Sequence, residues 1–310
     1  MSYFVEDLLE SIKRDSFAPI SQSTFVDSSL IAVANQALDL NIVADLVAVR
    51  EDFFLTTEST PIVINTNHYP IPSRSIGNTI KTLFYVDSNG FESPLNYIDP
   101  SRRSEFEQRA VAPQAFYFEG DEVVIVPTPS ISVGSLLFQF PAKPNQLIAT
   151  SSCAKITSIV NNNPTASFSV DTDLTAILSV GSYVDFLSVT SPFKLWSYRA
   201  QITQITSNLI EVSLASVLDP SGLNIRPQKN DYICPTGFAN IPQIPTAYFP
   251  VLSQMVVVKV LESLGDSNKK ASALDTLKTL ESKATTLVKN RVEASPKKVS
   301  TRRSLVRYFR

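Results

Sequence analysis

The chain has 310 residues, with 27 Lys or Arg against 29 Asp or Glu, one His, two Cys and only eight Gly. A chain of this length buries roughly three quarters of its unfolded surface and divides into two or three units without covalent staples. The few glycines form neither G-x-G-x-x-G nor G-x-x-x-x-G-K-[ST], which argues against nucleotide chemistry of those types, and His68, alone in INTNHYPIPS, gives a metal site or catalytic imidazole little to stand on. No cofactor or metal is expected. No apolar run approaches the ~20 residues that span a bilayer. The start, MSYFVEDLLESIKRD, is amphipathic and acidic, so a soluble, unsecreted product without a membrane partner is expected.

In chain order, Ser2 is placed to cap a helix whose Val5, Leu8, Leu9 and Ile12 repeat at three and four. After a loop at Pro19, Asp27, Ser28 or Ser29 can cap SLIAVANQALDL, and NIVADLVAVRED continues or restarts that helix to about Phe53. The pattern then changes to short β-rich runs. Asn89-Gly90 in VDSNGFE is a preferred two-residue hairpin dipeptide, and AFYFEGDEVVIVPTP reads as a second hairpin about Gly120-Asp121. Between them DPSRRSEFEQRA predicts a short helix with Asp99 as cap and Pro100 in its first turn. Val123 to Val126 is apolar on both faces, as in a central strand, and GSLLFQFPAKP adds one more strand.

CAKITSIV, ASFSV, SYVDFLSV, SYRAQITQI, NLIEVSLAS and DYICPTG are strand-sized runs at intervals typical of a barrel or sandwich. Residues 155–159 (KITSI) and 201–205 (QITQI) echo each other as repeated hairpin grammar, too short to establish duplication. Cys153 and Cys234, 81 residues apart, are expected as two small buried thiols, because a reducing compartment disfavours a bridge and zinc-type spacing is absent. IPQIPTAYFP marks the return to helix. Val251 to Leu264 is apolar nearly all round and should be the most buried helix, ended by Gly265. Asp266 or Ser267 caps a last helix with Leu274, Leu277, Leu280, Ala284, Leu287 and Val288 on one face.

The last eighteen residues, EASPKKVSTRRSLVRYFR, form a basic arm. From residue 289 there are eight Lys or Arg against one Glu, a net of +7, so residues 1–288 carry −9 within a total of −2. Arg302, Arg303, Arg307 and Arg310 alternate with Leu305, Val306, Tyr308 and Phe309, which supplies both charge and apolar anchors for a groove or sheet edge. The expected fold is α+β: a discontinuous helical bundle of N- and C-terminal helices (1–53 and 241–292), two inserted, mostly antiparallel β units (54–148 and 149–240), the second a small barrel or sandwich, and an extended basic C-terminal arm (293–310).

VREDFF (49–54), YPIPSRSIG (69–77), FYFEGDEVVIVPTP (116–129) and IPQIPTAYFPVLSQMVVVKVLESLGDS (241–267), followed by RVEASPKKV and the basic end, resemble the head-to-tail adaptor, or neck, proteins of tailed bacteriophages. The resemblance covers about residue 27 to 310. It implies a structural, non-enzymatic virion subunit, assembled in the host cytoplasm and placed in the neck as a ring of usually twelve copies. It further implies docking beneath the portal protein ring, contact with downstream tail or neck proteins, and a lumen through which DNA passes non-specifically. The large β insertion departs from the smaller all-helical members. On this reading Arg302, Arg303, Leu305, Val306, Arg307, Tyr308, Phe309 and Arg310 contact the portal, and an acidic body suits a conduit past which DNA slides. Glu6, Glu10, Asp45 and Glu51 are lumen candidates no better than any surface acid.

Three other readings compete. Asp171 with Asp173, or Glu119 with Asp121 and Glu122, offer carboxylates for a glycan-cleaving enzyme, although turns and solvated faces use the same residues. The basic end with Tyr308 and Phe309 suits a nucleic-acid-binding module. The β units suit a distal tail or receptor-binding component. Trp196 reads as an interface anchor, or more simply as core or rim. Arg102 and Arg103, before Glu105 and Glu107, read as a solvated face, and the aromatics at 116–118 as strand packing.

Overall fold

The structure, a computed structural model, describes residues 3–16, 25–50, 52–107, 112–190, 195–218 and 224–289. It is a mixed α+β chain with antiparallel sheets and a six-stranded barrel. Helix α1 spans Val5–Ser16, α2 Asp27–Ala37 and α3 Val43–Val49, with a π-helical turn at Leu38–Ile42 joining α2 to α3 without a break. The second helix therefore stops at Val49 rather than near Phe53, where Arg50 leaves helical geometry. No side chain caps α2, whose N-cap is Val26, and Ser2 lies outside the described residues.

Strands β1 (Leu55–Pro61), β2 (His68–Pro70), β3 (Thr82–Val86), β4 (Glu92–Pro94), β5 (Asn96–Tyr97), β6 (Ala115–Glu119), β7 (Glu122–Val126) and β8 (Ser135–Pro141) form two four-stranded sheets, ordered β1-β8-β3-β4 and β2-β7-β6-β5. The sheets share a core of Tyr69, Phe116, Val123 and Ile125 from one and Leu83, Leu136, Phe138 and Phe140 from the other. β7 is central and buried at Val123 to Val126, as its two-faced apolarity predicts. Its hairpin with β6 turns on Gly120-Asp121, with Gly120 at φ 61°. The β3–β4 hairpin turns more widely than a two-residue loop. The Asp87 carboxylate accepts from the Asn89 and Phe91 backbone N–H groups at 2.8 and 2.9 Å and organises residues 87–91. Asp99 does cap the 3-10 turn Pro100–Glu105, through the Ser101 N–H.

β9 (Gln146–Leu147) leads to the barrel strands β10 (Ala154–Asn162), β11 (Thr165–Val170), β12 (Tyr183–Leu187), β13 (Leu195–Thr206), β14 (Leu209–Ser213) and β15 (Tyr232–Pro235). They close in the order β10-β11-β14-β13-β12-β15 around Phe168, Phe186, Ile156, Ile202 and Ile233. The strand order and pairing registers of the barrel relate β10-β11-β12 to β13-β14-β15 by an internal two-fold. Ile156 faces Val170, and a bulge before Ser158 is followed by Ile159 facing Phe168. Ile202 faces Val212, with the same bulge before Gln204 and Ile205 facing Ile210. The third strands follow suit, Lys155 pairing Tyr232 and Gln201 pairing Tyr183. Even the turns agree: Asn230 and Gly181, both at positive φ, donate their N–H groups to the carbonyls of Ile156 and Ile202. The weak KITSI/QITQI echo marks the first strands of two equivalent halves. Sequence similarity is faint because pairing register constrains only which face each residue takes.

The two cysteines do not remain thiols. Cys153 and Cys234 form a disulfide (Cα–Cα 4.6 Å), buried beside Leu187 and Ala239 and joining the segment before β10 to β15. The sequence separation hid the contact, because barrel closure brings the two ends together.

β16 (Phe238–Ala239) pairs in parallel with β9, and α4 (Phe249–Leu264) and α5 (Ser267–Val288) complete the described chain. α1, α2, the π turn and α3 share one core with α4 and α5, including Leu8, Ile12, Leu30, Leu38 and Leu46 against Leu252, Val256 and Leu261. α4 is apolar nearly all round and the most buried of the helices; Gly265 ends it at φ 72°, and Asp266 caps α5 through the Lys269 N–H. Against the expectation of no long apolar run, the helical stretches Asp27–Val49 and Thr246–Leu264 are each long and apolar enough to cross a membrane by length and composition. Much of each is buried inside the protein. Asn35 of α2 ties the helices to the insertion by bonding like a strand edge, donating to the Leu147 carbonyl at 3.0 Å and accepting from its N–H at 2.6 Å.

Candidate docking surfaces

The arm residues Arg302, Arg303, Leu305, Val306, Arg307, Tyr308, Phe309 and Arg310 lie outside the described residues. What the structure places is their point of departure: α5 ends at Val288, on the helical layer that also holds α1 to α4.

Of the carboxylates named as candidates for chemistry, Asp171, Asp173, Asp121 and Glu122 hold side-chain partners, while Glu119 is exposed at the end of β6, opposite Glu122 in the hairpin. Asp171 accepts from the Lys155 N–H at 2.8 Å and the Thr172 hydroxyl at 2.9 Å, and Asp173 from the Thr175 N–H at 2.8 Å. Asp121 accepts from the Asn78 amide at 2.9 Å, and Glu122 meets the exposed His68 ring at 2.9 Å. Hydrogen bonds from Thr175, first its side chain, hold Asp173 below the usual carboxylate range. Among the described residues no three His, Cys, Asp or Glu gather as a metal site. Arg102 pairs with Glu105 at 2.8 Å and Arg103 with Glu107 at 2.7 Å on an exposed surface. Tyr97, Phe116 and Phe118 form a ring ladder 5.7 to 5.8 Å apart, in which Phe116 is buried and Tyr97 exposed. The side chain of Trp196 lies outside what is described.

One open cleft of about 680 Å³ lies between the β-sandwich and the barrel, and Arg74, Lys143 and Arg199 line it. Beneath it sits Asp185, 0% exposed. Its Oδ1 accepts from the Arg199 N–H at 3.0 Å and the Thr236 hydroxyl at 3.2 Å; its Oδ2 accepts from the Asn145 amide at 2.9 Å and the Gly237 N–H at 3.0 Å. The Arg74 guanidinium approaches to 3.8 Å. Asp185 thus joins both β units at one buried point. It pairs directly with Cys234 across β12–β15, on the two-fold axis of the barrel. Cys153 and Arg199 are equivalent positions about that axis, so one half is closed by a disulfide and the other by a carboxylate.

A second groove, about 610 Å³, runs between α5 and the α2–π–α3 run over α4. Val33, Leu40, Val258 and Leu277 give it apolar walls, and Asp45 and Glu281 give it charge. Leu40, on the π turn, is 66% exposed. Burial, and then the charge of Asp45, push the Glu281 carboxyl above its ordinary range. A third hollow of about 540 Å³, between α1, α4 and α5, is lined by Asp7, Glu10 and Asp15 among others. No family model matches the chain, and no curated protein matches it in sequence.

Proposed function

We propose that this chain is a structural, non-enzymatic subunit of a head-to-tail adaptor ring of a tailed bacteriophage. It docks beneath the portal, joins capsid to tail and lines the channel through which DNA leaves. In this reading the helices of the two chain ends make a discontinuous bundle that forms the ring body, and the β-sandwich and barrel are inserts facing neighbouring subunits or tail proteins. The basic C-terminal arm clamps the portal, with Arg302, Arg303, Arg307 and Arg310 pairing with acidic portal surface and Leu305, Val306, Tyr308 and Phe309 as anchors.

The observation that carries the reading is the shared core of α1 to α5: the first and last helices are one body, and α5 delivers the C-terminal segment from it. A short arm makes a modest contact per copy, and ring valency multiplies it. The excess of acid over base in residues 1–288 suits a channel wall to which DNA does not stick.

The test is native mass of the full chain and of a chain ending at Val292, each alone and with the portal ring of the same genome. The reading expects a portal-dependent ring from the full chain and none from the shortened one. Absence of association for both would remove it, and salt-dependent retention on DNA would then favour a nucleic-acid-binding role.

A further inference from the structure

The groove between α5 and the α2–π–α3 run is a poor surface to leave bare. α5 has 22 residues, of which only Ala273 and Ala284 are buried. Val258 on α4, 7% exposed, floors the groove, Leu277 on α5 stays half-buried beside it, and Leu40 stands over them with most of its surface in solvent. π turns insert one extra residue into a helix and recur at functional sites; here the insertion aims an aliphatic side chain at the groove. Asp45 and Glu281 face the same space with like charge, and neither has a cationic partner among the described residues. Lys259, the cation on the wall, is paired with Glu262 at 3.2 Å. Apolar walls with two uncompensated carboxylates call for a ligand that is both apolar and cationic.

We propose that in the unassembled protein this groove holds the chain's own C-terminal segment, residues 302–310. The segment has the complementary chemistry: four arginines interleaved with Leu305, Val306, Tyr308 and Phe309. Guanidinium groups bind carboxylates in forked pairs and tolerate partial burial better than ammonium groups. It also has the reach. Residues 290–310 follow the last described helix, and 21 extended residues span about 70 Å, whereas Glu281 lies only about 10 Å back along α5 from Val288. Being tethered, the segment is present at an effective concentration on the order of millimolar, so a weak site suffices. Docking itself stands apart from portal binding. Its consequence, that the arm is withheld until a portal competes for it, rests on the adaptor reading.

The experiment places a photo-cross-linker at the groove, Leu40→p-benzoylphenylalanine in the full chain, and maps the adducts by mass spectrometry. Adducts within one chain to residues 302–310 are expected, with yield independent of protein concentration. They should be lost in Asp45→Lys/Glu281→Lys and equally in Arg302→Glu/Arg303→Glu/Arg307→Glu, the latter leaving the folded body untouched. Adducts elsewhere, yields that survive both charge reversals, or dimer adducts that grow with concentration would overturn the proposal, the last making a second copy the occupant. Portal titration separates the two readings. Asp45→Lys/Glu281→Lys should raise apparent portal affinity about tenfold if the arm is docked about nine-tenths of the time. Adducts without any portal binding leave the docking and remove the adaptor role; portal binding without adducts does the reverse.

Discussion

Replacing Asp185 by Ala tests whether the two β units are held at one buried carboxylate. The side chain is 0% exposed and satisfies two backbone N–H groups, a hydroxyl and an amide, beside an arginine whose side chain is only 15% exposed. Each buried donor left unpaired costs about 1–3 kcal/mol, and removing one partner of a buried charge pair costs about 3–5 kcal/mol. These overlap rather than add, because water can enter from the cleft above, so a loss of about 4 kcal/mol is expected. Asp185→Asn keeps one acceptor and should lose about half as much. The only tryptophan, Trp196, lies on strand β13, so intrinsic fluorescence in a urea titration reports barrel unfolding. With a slope of about 1–3 kcal/mol per molar urea, the Ala variant should shift the midpoint by more than 1 M. A loss under about 1 kcal/mol would refute the hub, showing that water replaces the carboxylate at little cost.

Opening the 81-residue loop with Cys153→Ala/Cys234→Ala should lower stability by up to about 4.5 kcal/mol on the chain-entropy estimate; urea midpoints with and without reductant should then coincide for the variant and differ for the parent. Gly134→Ala should destabilise the β1-β8-β3-β4 sheet by about 2–3 kcal/mol, because Gly134 sits at φ 86° and an added Cβ would fall 2.3 Å from the Val86 carbonyl oxygen; amide exchange across β3 and β8 reads the loss. Asp266 is held below the usual carboxylate range by the Lys269 N–H first, and Glu262 by Lys270 and then Lys259. Depressed folded values mean that this stabilisation is present above the unfolded pKa of about 4 and is lost as pH falls through the folded values. Acid titration followed by amide exchange should therefore show the α4–α5 hairpin loosening, with a smaller pH response in Asp266→Ala.

The features legible in the sequence are those carried by local chemistry. Gly120-Asp121 turned the hairpin it predicted, Asp99 capped the turn ahead of Pro100, and Gly265 closed α4, because each depends on residues a few positions apart. Asn89-Gly90 predicted a hairpin but not its width, since Asp87 captures two N–H groups and enlarges the loop. The features that sequence reading missed are non-local. The Cys153–Cys234 bond depends on barrel closure, and the β10 and β13 echo gains meaning only through identical bulges. Asp185, in VDFL, reads as an ordinary polar strand position, and nothing nearby signals that Arg74 and Asn145 converge on it. Asp45 looked like any surface acid until α5 brought Glu281 opposite.

The barrel's interlocked halves have one more consequence. β12 pairs with β13, and β15 with β10, so the third strand of each half completes the other half's sheet. Neither half can shut on itself. The pairing is that of a two-fold symmetric dimer carried within a single polypeptide. Loss of one half therefore strips a paired strand from the other, so the barrel should open as a whole rather than half by half.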